Sequence, residues 1–299
     1  YLDTITFEVG QEPIVALLRL QKGEVDIPGD GIPPAKFQEV MADPEQKARV
    51  IEGGQLHTGY ITLNVKMPPF DNLDLRLALK YSIKRQEMVD KILRGYGSIG
   101  NDMPINASYP LFDESIPQRE HSIEKAAEHY KKSGHDGSPI ILRVADGAFP
   151  GAVDAAALFQ QSAAKAGIPL EIKREPNDGY WSEVWNVQPF CASYWGGRPV
   201  QDQMYATAYL STADWNDTRW KRDDFDALLN SAKAELDQGK RKAIYSQMGQ
   251  MLRDEGGLIL PMFNDFVAGV SNNVGGYVND PNGPVMNNKS HIACWLKDA

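Results

Sequence analysis

The sequence predicts an α/β fold, and three observations carry that prediction. Residues 139–195 alternate strand-like and helix-like segments: strands at 139–145, 170–174 and 189–195 are separated by a helix at 153–166 and a shorter one at 179–185. Short loops in such an order imply parallel strands joined by right-handed crossovers, a βαβαβ unit. Residues 60–65 alternate apolar and polar side chains as a half-buried strand does, and Met67-Pro68-Pro69-Phe70 stops the alternation. Between these strands, apolar residues recur at helical spacing.

The remaining elements follow in chain order. Residues 5–9 are β-rich, 13–20 form an amphipathic helix, and 24–27 form a short strand after Gly23, together a βαβ-sized unit. Gly29-Asp30-Gly31-Ile32-Pro33-Pro34 is a breaker cluster and the candidate hinge. Leu75, Leu79, Ile83, Met88, Val89, Ile92 and Leu93 predict one long packed helix over 73–93 that closes at Gly95. Residues 98–118, rich in Pro, Asn, Asp and Ser, read as a long surface connection. Helices are expected at 122–133, ended by Gly134, and at 223–236 and 240–253, before a strand at 258–263 and a Gly/Asn/Pro-rich tail. No internal repeat occurs.

Composition bounds the function. The 299 residues are enough for two domains or one large one, and 42% hydrophobic with 24% charged residues marks a globular chain. Lysine plus arginine number 31 against 40 acids, and the net charge of −9 is the wrong sign for a general nucleic-acid binder. No apolar run reaches the ~18 residues of a membrane-spanning helix. Cys191 and Cys294 cannot build a disulfide framework; two separate thiols are expected, with a single bridge as the alternative. The start at Tyr1-Leu2-Asp3, with neither initiator methionine nor leader, implies residues upstream.

Ligands of open α/β sheets lie beyond the carboxyl ends of strands. The strand at 189–195 runs into Tyr194-Trp195-Gly196-Gly197-Arg198-Pro199-Val200-Gln201-Asp202. Two glycines bare the backbone, two aromatics offer flat apolar surface, and Arg198 offers a fork for a carboxylate or phosphate. The competing reading is a sharp turn in which the aromatics cap the sheet and Arg198 pairs with Asp202. Trp181 and Trp185, four apart, share one helix face, which more often serves packing than ligand stacking; Tyr180 and Trp181 lie nearest the rim. Trp215 and Trp220 flank the polar turn Asn216-Asp217-Thr218, and Asp223, Asp224 and Asp226 open a helix whose dipole they suit. Catalysis finds no support: His57, His121, His129, His135 and His291 are scattered, and no metal, nucleophile-elbow, dinucleotide or phosphate-loop spacing occurs.

Several stretches together resemble bacterial extracellular solute-binding protein family 5, the peptide- and opine-type binding proteins of ABC importers. Leu20-Gln21-Lys22-Gly23-Glu24-Val25-Asp26-Ile27 is similar to the family's Leu-x-x-Gly-Glu-x-Asp segment. The run from Asn64 through Phe70 and Asp71 to Arg76 and Leu79 resembles its Asn-x-x-x-Pro-Pro-Phe-Asp and Arg-x-Ala-Leu segments. Phe225-Asp226 with Leu229, Arg241 to Gln250, and Gly257 to Phe263 resemble its closing helices and last strand. The resemblance implies a periplasmic-binding-protein-like lobe plus the remnant of a first lobe, in the carboxy-terminal portion of a protein of about 500 residues that closes two lobes over its ligand.

It also implies site residues. In peptide-binding relatives the strand matching 189–195 ends in Trp, two small residues and an aspartate that pairs with the ligand's α-ammonium; here that position is Arg198. A guanidinium repels an ammonium and attracts an anion. The expectation is an opine, an acidic or phosphorylated sugar conjugate, or an amine-blocked peptide. In the alternative, Asp202 neutralises Arg198 and anchors an amine. Trp181 matches a tryptophan that walls the family pocket, and Asn64, Phe263 and Asn264 sit on strands that reach it.

The expected organisation is 1–58 as the end of the first lobe and hinge, 59–256 as the second α/β lobe, and 257–299 as a returning strand and tail. The expected function is a non-catalytic, monomeric substrate-binding component of an ABC importer. It requires no cofactor or metal, contacts no nucleic acid, and delivers a small-molecule or short-peptide ligand to a permease from the periplasm or the cell exterior. Two rivals are the ligand-sensing domain of a regulator with the same fold and, further off, a hydrolase.

Overall fold

The computed structural model describes residues 4–8, 13–28, 34–43, 50–52, 57–63, 65–265, 267–278, 286 and 289–297. Its strands are β1 (Val50–Glu52), β2 (His57–Leu63), β3 (Gly97–Ile99), β4 (Ile140–Val144) and β5 (Leu170–Arg174). They continue with β6 (Phe190–Gly196), β7 (Leu258–Asn264), β8 (Val267–Gly269), β9 (Val274–Gly275) and β10 (Trp295–Leu296). The helices are α1 (Pro13–Lys22), α2 (Pro34–Ala42), α3 (Leu73–Ser82), α4 (Arg85–Lys91) and α5 (Ile123–Ser133). They continue with α6 (Ala152–Lys165), α7 (Gln201–Ala208), α8 (Asp223–Ala234), α9 (Gln238–Glu255) and α10 (Ser290–Ala293), and a π-helical turn spans Tyr180–Val184.

One six-stranded mixed sheet, ordered β3-β7-β2-β6-β4-β5, organises the molecule. β4 pairs in parallel with β5 and β6, so the βαβαβ unit read from the sequence is present with β4 in its centre. β2 lies antiparallel to both β6 and β7, and β3 antiparallel to β7. The fold is α/β, with a core on each face of the sheet. α3, α4 and α6 bury Leu79, Met88 and Phe159 with Leu142 and Ile259 on one face; α7, α8 and α9 bury Tyr205, Phe225 and Met248 with Leu260 and Phe263 on the other.

Several expectations are corrected. Residues 4–8 and 24–28 carry no strand, and Val9 lies outside the described residues, so no βαβ unit forms there. The breaker cluster at 29–33 also lies outside them. The helix expected over 73–93 is two, α3 and α4, because Ile83 takes an extended conformation (φ −87°, ψ 129°). The expected lobe boundary between 58 and 59 falls inside β2. β7 sits within the main sheet, and only after it does the chain pair with β1, through β8. As expected, no disulfide joins Cys191 and Cys294.

The largest departure is at 98–118. Residues 100–106 are all buried, and the reason is Asp102, fully buried and reached by two guanidinium groups. Arg85 Nη2 donates to its Oδ1 at 2.7 Å and Arg119 Nε to its Oδ2 at 2.7 Å. The same carboxylate accepts the Leu260 amide at 3.0 Å. That amide belongs to a β-bulge: β7 takes three steps from Ile259 to Met262 while β2 takes two from Ile61 to Gly59. Pro261, which has no N–H, sits within the bulge, where a strand tolerates it, and its carbonyl accepts the Gly100 amide at 2.8 Å. Segment 100–102 thus satisfies backbone groups that the bulge removes from the ladder.

Two further cations, together with Arg119, close the C-terminal end of α9, whose last carbonyls lack helical partners. Arg76 Nη2 donates to Glu255 O at 2.8 Å, and Lys80 Nζ and Arg119 Nη2 donate to Arg253 O at 2.8 and 2.7 Å. Burial works to raise the Asp102 pKa, but Arg85, Lys80 and Arg119 outweigh it and hold the carboxyl below its ordinary range. Burial pulls Lys80 from its ordinary 10.5 down to about 7, against the opposing pull of Asp102.

Two outcomes follow. Asp102→Ala leaves the buried Arg85 guanidinium without its counter-ion and Arg119 with only the exposed Asp254, and is expected to cost about 3 to 5 kcal/mol in chemical denaturation; a loss below ~1 kcal/mol contradicts this account. Because the folded pKa of Lys80 lies below its unfolded value, the unfolded chain binds the extra proton between about pH 7 and 10.5. The stability of the wild type relative to Lys80→Met is therefore expected to rise with pH across that window, by up to ~1.4 kcal/mol per unit. Parallel pH dependences of the two proteins contradict it.

Candidate functional site

Four strand ends meet at one edge of the sheet. Gly97 is opposite Asn264, Asn264 opposite His57, and His57 opposite Gly196. The glycine-arginine loop expected as a recognition element leaves this edge directly from β6 and enters α7 at Gln201. It is held from below by the 98–118 segment. The Arg198 amide donates to the Tyr109 hydroxyl at 3.0 Å, and Gln201 Nε2 donates to Pro110 O at 2.8 Å. Tyr109 is 4% exposed and Gln201 2%. Burial raises the Tyr109 pKa, against the opposing effects of the Arg198 amide and charge, so at neutral pH the hydroxyl keeps its proton.

Arg198 folds back on its own loop. Its Nη1 donates to Gly196 O at 2.9 Å and Gly197 O at 3.0 Å, and the guanidinium carbon lies 5.6 Å from the Trp195 ring centroid. Among the described residues it forms no ion pair, so the expected alternative of an Arg198–Asp202 bridge is not the arrangement here. Asp202 sits in the first turn of α7 and accepts the Tyr245 hydroxyl, which burial first and the Asp202 charge second push up to about 12. One Arg198 nitrogen is thereby fixed on a half-buried side chain, and among the described residues Nε and Nη2 form no hydrogen bond.

The aromatic residues form one connected run. Tyr194 meets Trp181 at 5.3 Å between centroids, Trp181 meets Trp185 at 6.0 Å, Trp185 meets Trp195 at 6.3 Å, and Trp195 meets Trp215 at 5.8 Å. Trp181, Tyr194 and Trp215 expose 40, 42 and 52% of their surface, whereas Trp195 is buried. The site residues read from the sequence therefore divide. Trp181, Tyr194, Trp195, Gly196, Gly197 and Arg198 come together; Asp202 lies one helical turn behind; Asn264 is half-buried at the same sheet edge. Phe263 is turned into the core at 3% exposure. Asn64 lies outside the described residues, and β2, which leads to it, ends at Leu63 opposite Phe190, at the far edge of the sheet. Tyr109 and Trp215 were not among the expected site residues. Trp215 showed only as one flank of a polar turn, and Tyr109 lay in a segment whose composition reads as solvent-exposed.

Two grooves lie elsewhere, one along α9 beside Asp113, Ser246 and Gln250, about 450 Å³, the other between α1 and α2. Among the described residues no cluster of His, Cys, Asp and Glu could hold a metal ion, and no helix is long and apolar enough to cross a membrane.

Residues 1–217 match the model of the bacterial extracellular solute-binding proteins, family 5 Middle. The chain belongs to this family. Family 5 members are binding proteins that work in the periplasm or outside the cell. Among its relatives, the Di/tripeptide-binding protein 1 of Pseudomonas aeruginosa is 28% identical over 263 residues, which are 85% of this chain and 48% of that protein. The Dipeptide-binding protein of Escherichia coli is 24% identical over 294 residues, 94% of this chain and 54% of that protein. The fold matches the periplasmic binding protein DppA from Helicobacter pylori, solved in complex with the peptide STSA, at a TM-score of 0.79 and 20% identity, covering 96% of this chain and 55% of the other. The chain spans about half the length of the curated relatives it matches.

Tyr109→Phe removes the acceptor of the Arg198 amide and leaves the ring packed. Hydrogen exchange at that amide is expected to accelerate roughly fivefold, as loss of a bond worth about 1 kcal/mol requires, with little change in global unfolding. Unaltered exchange shows that the tyrosine does not hold the loop.

Proposed function

We propose that this family 5 chain is the substrate-binding component of an ABC importer, and that it captures a small polar solute bearing an anionic group. The carrying observation is the state of Arg198: a guanidinium at the carboxyl end of a central strand, aimed by two carbonyls of its own loop and paired with no carboxylate among the described residues. In a half-dry site such a fork binds a carboxylate or phosphate with charge-assisted, bidentate hydrogen bonds and repels an ammonium. The candidate solutes are an opine, an acidic sugar conjugate or an amine-blocked peptide.

In this reading residues 59–256 act as one α/β lobe that closes on the solute. Residues 1–58 serve as the end of the other lobe and hinge, and 257–299 return toward it, with β7 counted into the sheet of the second lobe. The protein acts as a monomer outside the inner membrane, delivers its cargo to a permease, and needs neither cofactor nor catalytic group. The relatives named as peptide-binding proteins support the transport role. The guanidinium is the reason to expect a different charge on the cargo.

Titration with amine-blocked and free dipeptides tests the proposal. Arg198→Ala is expected to weaken the blocked, anionic ligand by about tenfold or more, the loss of a charge-assisted bond worth ~1.5 to 3 kcal/mol, and to weaken the free peptide less. Unchanged affinity for the anion ends the idea.

A further inference from the structure

The rim carries more exposed aromatic surface than an anion receptor requires. Trp215 and Trp220 leave the same turn, yet Trp220 is 4% exposed and Trp215 is 52% exposed. The turn itself is rigid: Asn216, 1% exposed, donates through Nδ2 to Trp220 O at 2.7 Å, and Thr218 Oγ1 donates to Asn216 Oδ1 at 3.0 Å. It is also clamped to the π-helical turn. Trp185 Nε1 donates to Asp217 Oδ2 at 2.9 Å, Asn186 Nδ2 to Asp214 O at 3.1 Å, and Arg219 Nη2 to Asn186 O at 2.8 Å. A side chain that merely sealed the core would lie flat against it, as Trp220 does. Trp215 is instead presented on a fixed support, tilted 51° to Trp195, which also neighbours Trp185 and the Arg198 guanidinium. Trp181 is presented likewise from the π-helical turn.

We propose that the rim binds an anion that carries a planar ring, with the charge on the open side of the Arg198 fork and the ring against the exposed faces of Trp215 and Trp181. The inference rests on the anion-binding reading above and adds the second half of the ligand. The chemistry is complementary: Arg198 and Trp215 both contact Trp195, and Trp181 reaches it through Trp185, so cation and indoles belong to one cluster. The support is pre-organised, so little ordering entropy opposes stacking, and aromatic contacts favour rings over aliphatic groups of similar size.

Three probes separate the two halves: N-acetyl-L-phenylalanine (anion and ring), N-acetyl-L-alanine (anion alone) and N-acetyl-L-phenylalaninamide (ring alone). Binding to the chain is followed by calorimetry and by tryptophan emission, since four of the six tryptophans lie in the aromatic run. N-acetyl-L-phenylalanine is expected to bind roughly tenfold tighter than N-acetyl-L-alanine. Trp215→Ala or Trp181→Ala, both substitutions of exposed side chains, is expected to shrink that ratio toward unity, N-acetyl-L-phenylalanine losing more affinity than N-acetyl-L-alanine. Equal affinity of the two acids for the wild type overturns the ring-binding inference and leaves the Arg198 reading standing. Tighter binding of the amide than of its acid overturns the Arg198 reading. Binding of none of the three at millimolar concentration overturns both.

Discussion

The buried carboxylate of Asp102 is the constraint on which the rest of the structure hangs. It lies where a β-bulge in β7 frees a backbone amide, where Arg85 and Arg119 converge, and where segment 98–118 dives beneath the sheet edge. A charge so deeply buried is tolerable because two guanidiniums and a backbone amide donate to it. Those donors come from α4, from β7 and from the end of the connection to α5, so one side chain ties together pieces remote in sequence. Lys80 and Arg76 extend the same cluster to the end of α9. With the segment pinned at Asp102, Tyr109 and Pro110 arrive below the rim and hold both ends of the glycine-arginine loop.

The rim derives its character from that support. A glycine-rich loop would otherwise be the softest part of the sheet edge, yet its Arg198 amide is bound to the buried Tyr109 and the buried Gln201 side chain to the Pro110 carbonyl. Arg198 in turn uses one nitrogen to staple the loop to itself, an arrangement that orients the remaining donors without spending them. Asp202, the rival anchor, is engaged by Tyr245 and sits at the amino end of α7, where the helix dipole already favours its negative charge. In the proposed reading, charge selection at this edge falls to the guanidinium, and selection of shape falls to the indoles around it.

Much of this architecture was legible in the sequence. The βαβαβ unit, the cap at Gly134 and the helices around Phe225 and Met248 follow from periodicity and cap chemistry, which are local. The break after Ser82 was missed, although the spacing of five from Ile83 to Met88 departs from the helical rhythm of three and four. The burial of 100–106 was not legible, because the Pro, Asn and Asp content of this segment is that of a loop. What buries it is a set of partners at Arg85, Arg119 and Leu260 that only the tertiary fold brings near. The strand-like runs at 5–8 and 24–27 failed for the converse reason. β-propensity describes fit to a sheet, and among the described residues no strand pairs with them. At the site, the glycine-arginine loop announced itself by composition, whereas Tyr109 acts through one hydroxyl and left no pattern.

The account rests on the sign of the charge that this sheet edge accepts. Mass spectrometry of solute released by denaturing the protein as purified from its own cells reads that sign directly. A carboxylate- or phosphate-bearing molecule without a free α-amine is the predicted cargo; a peptide with an unblocked amino terminus would contradict the central claim.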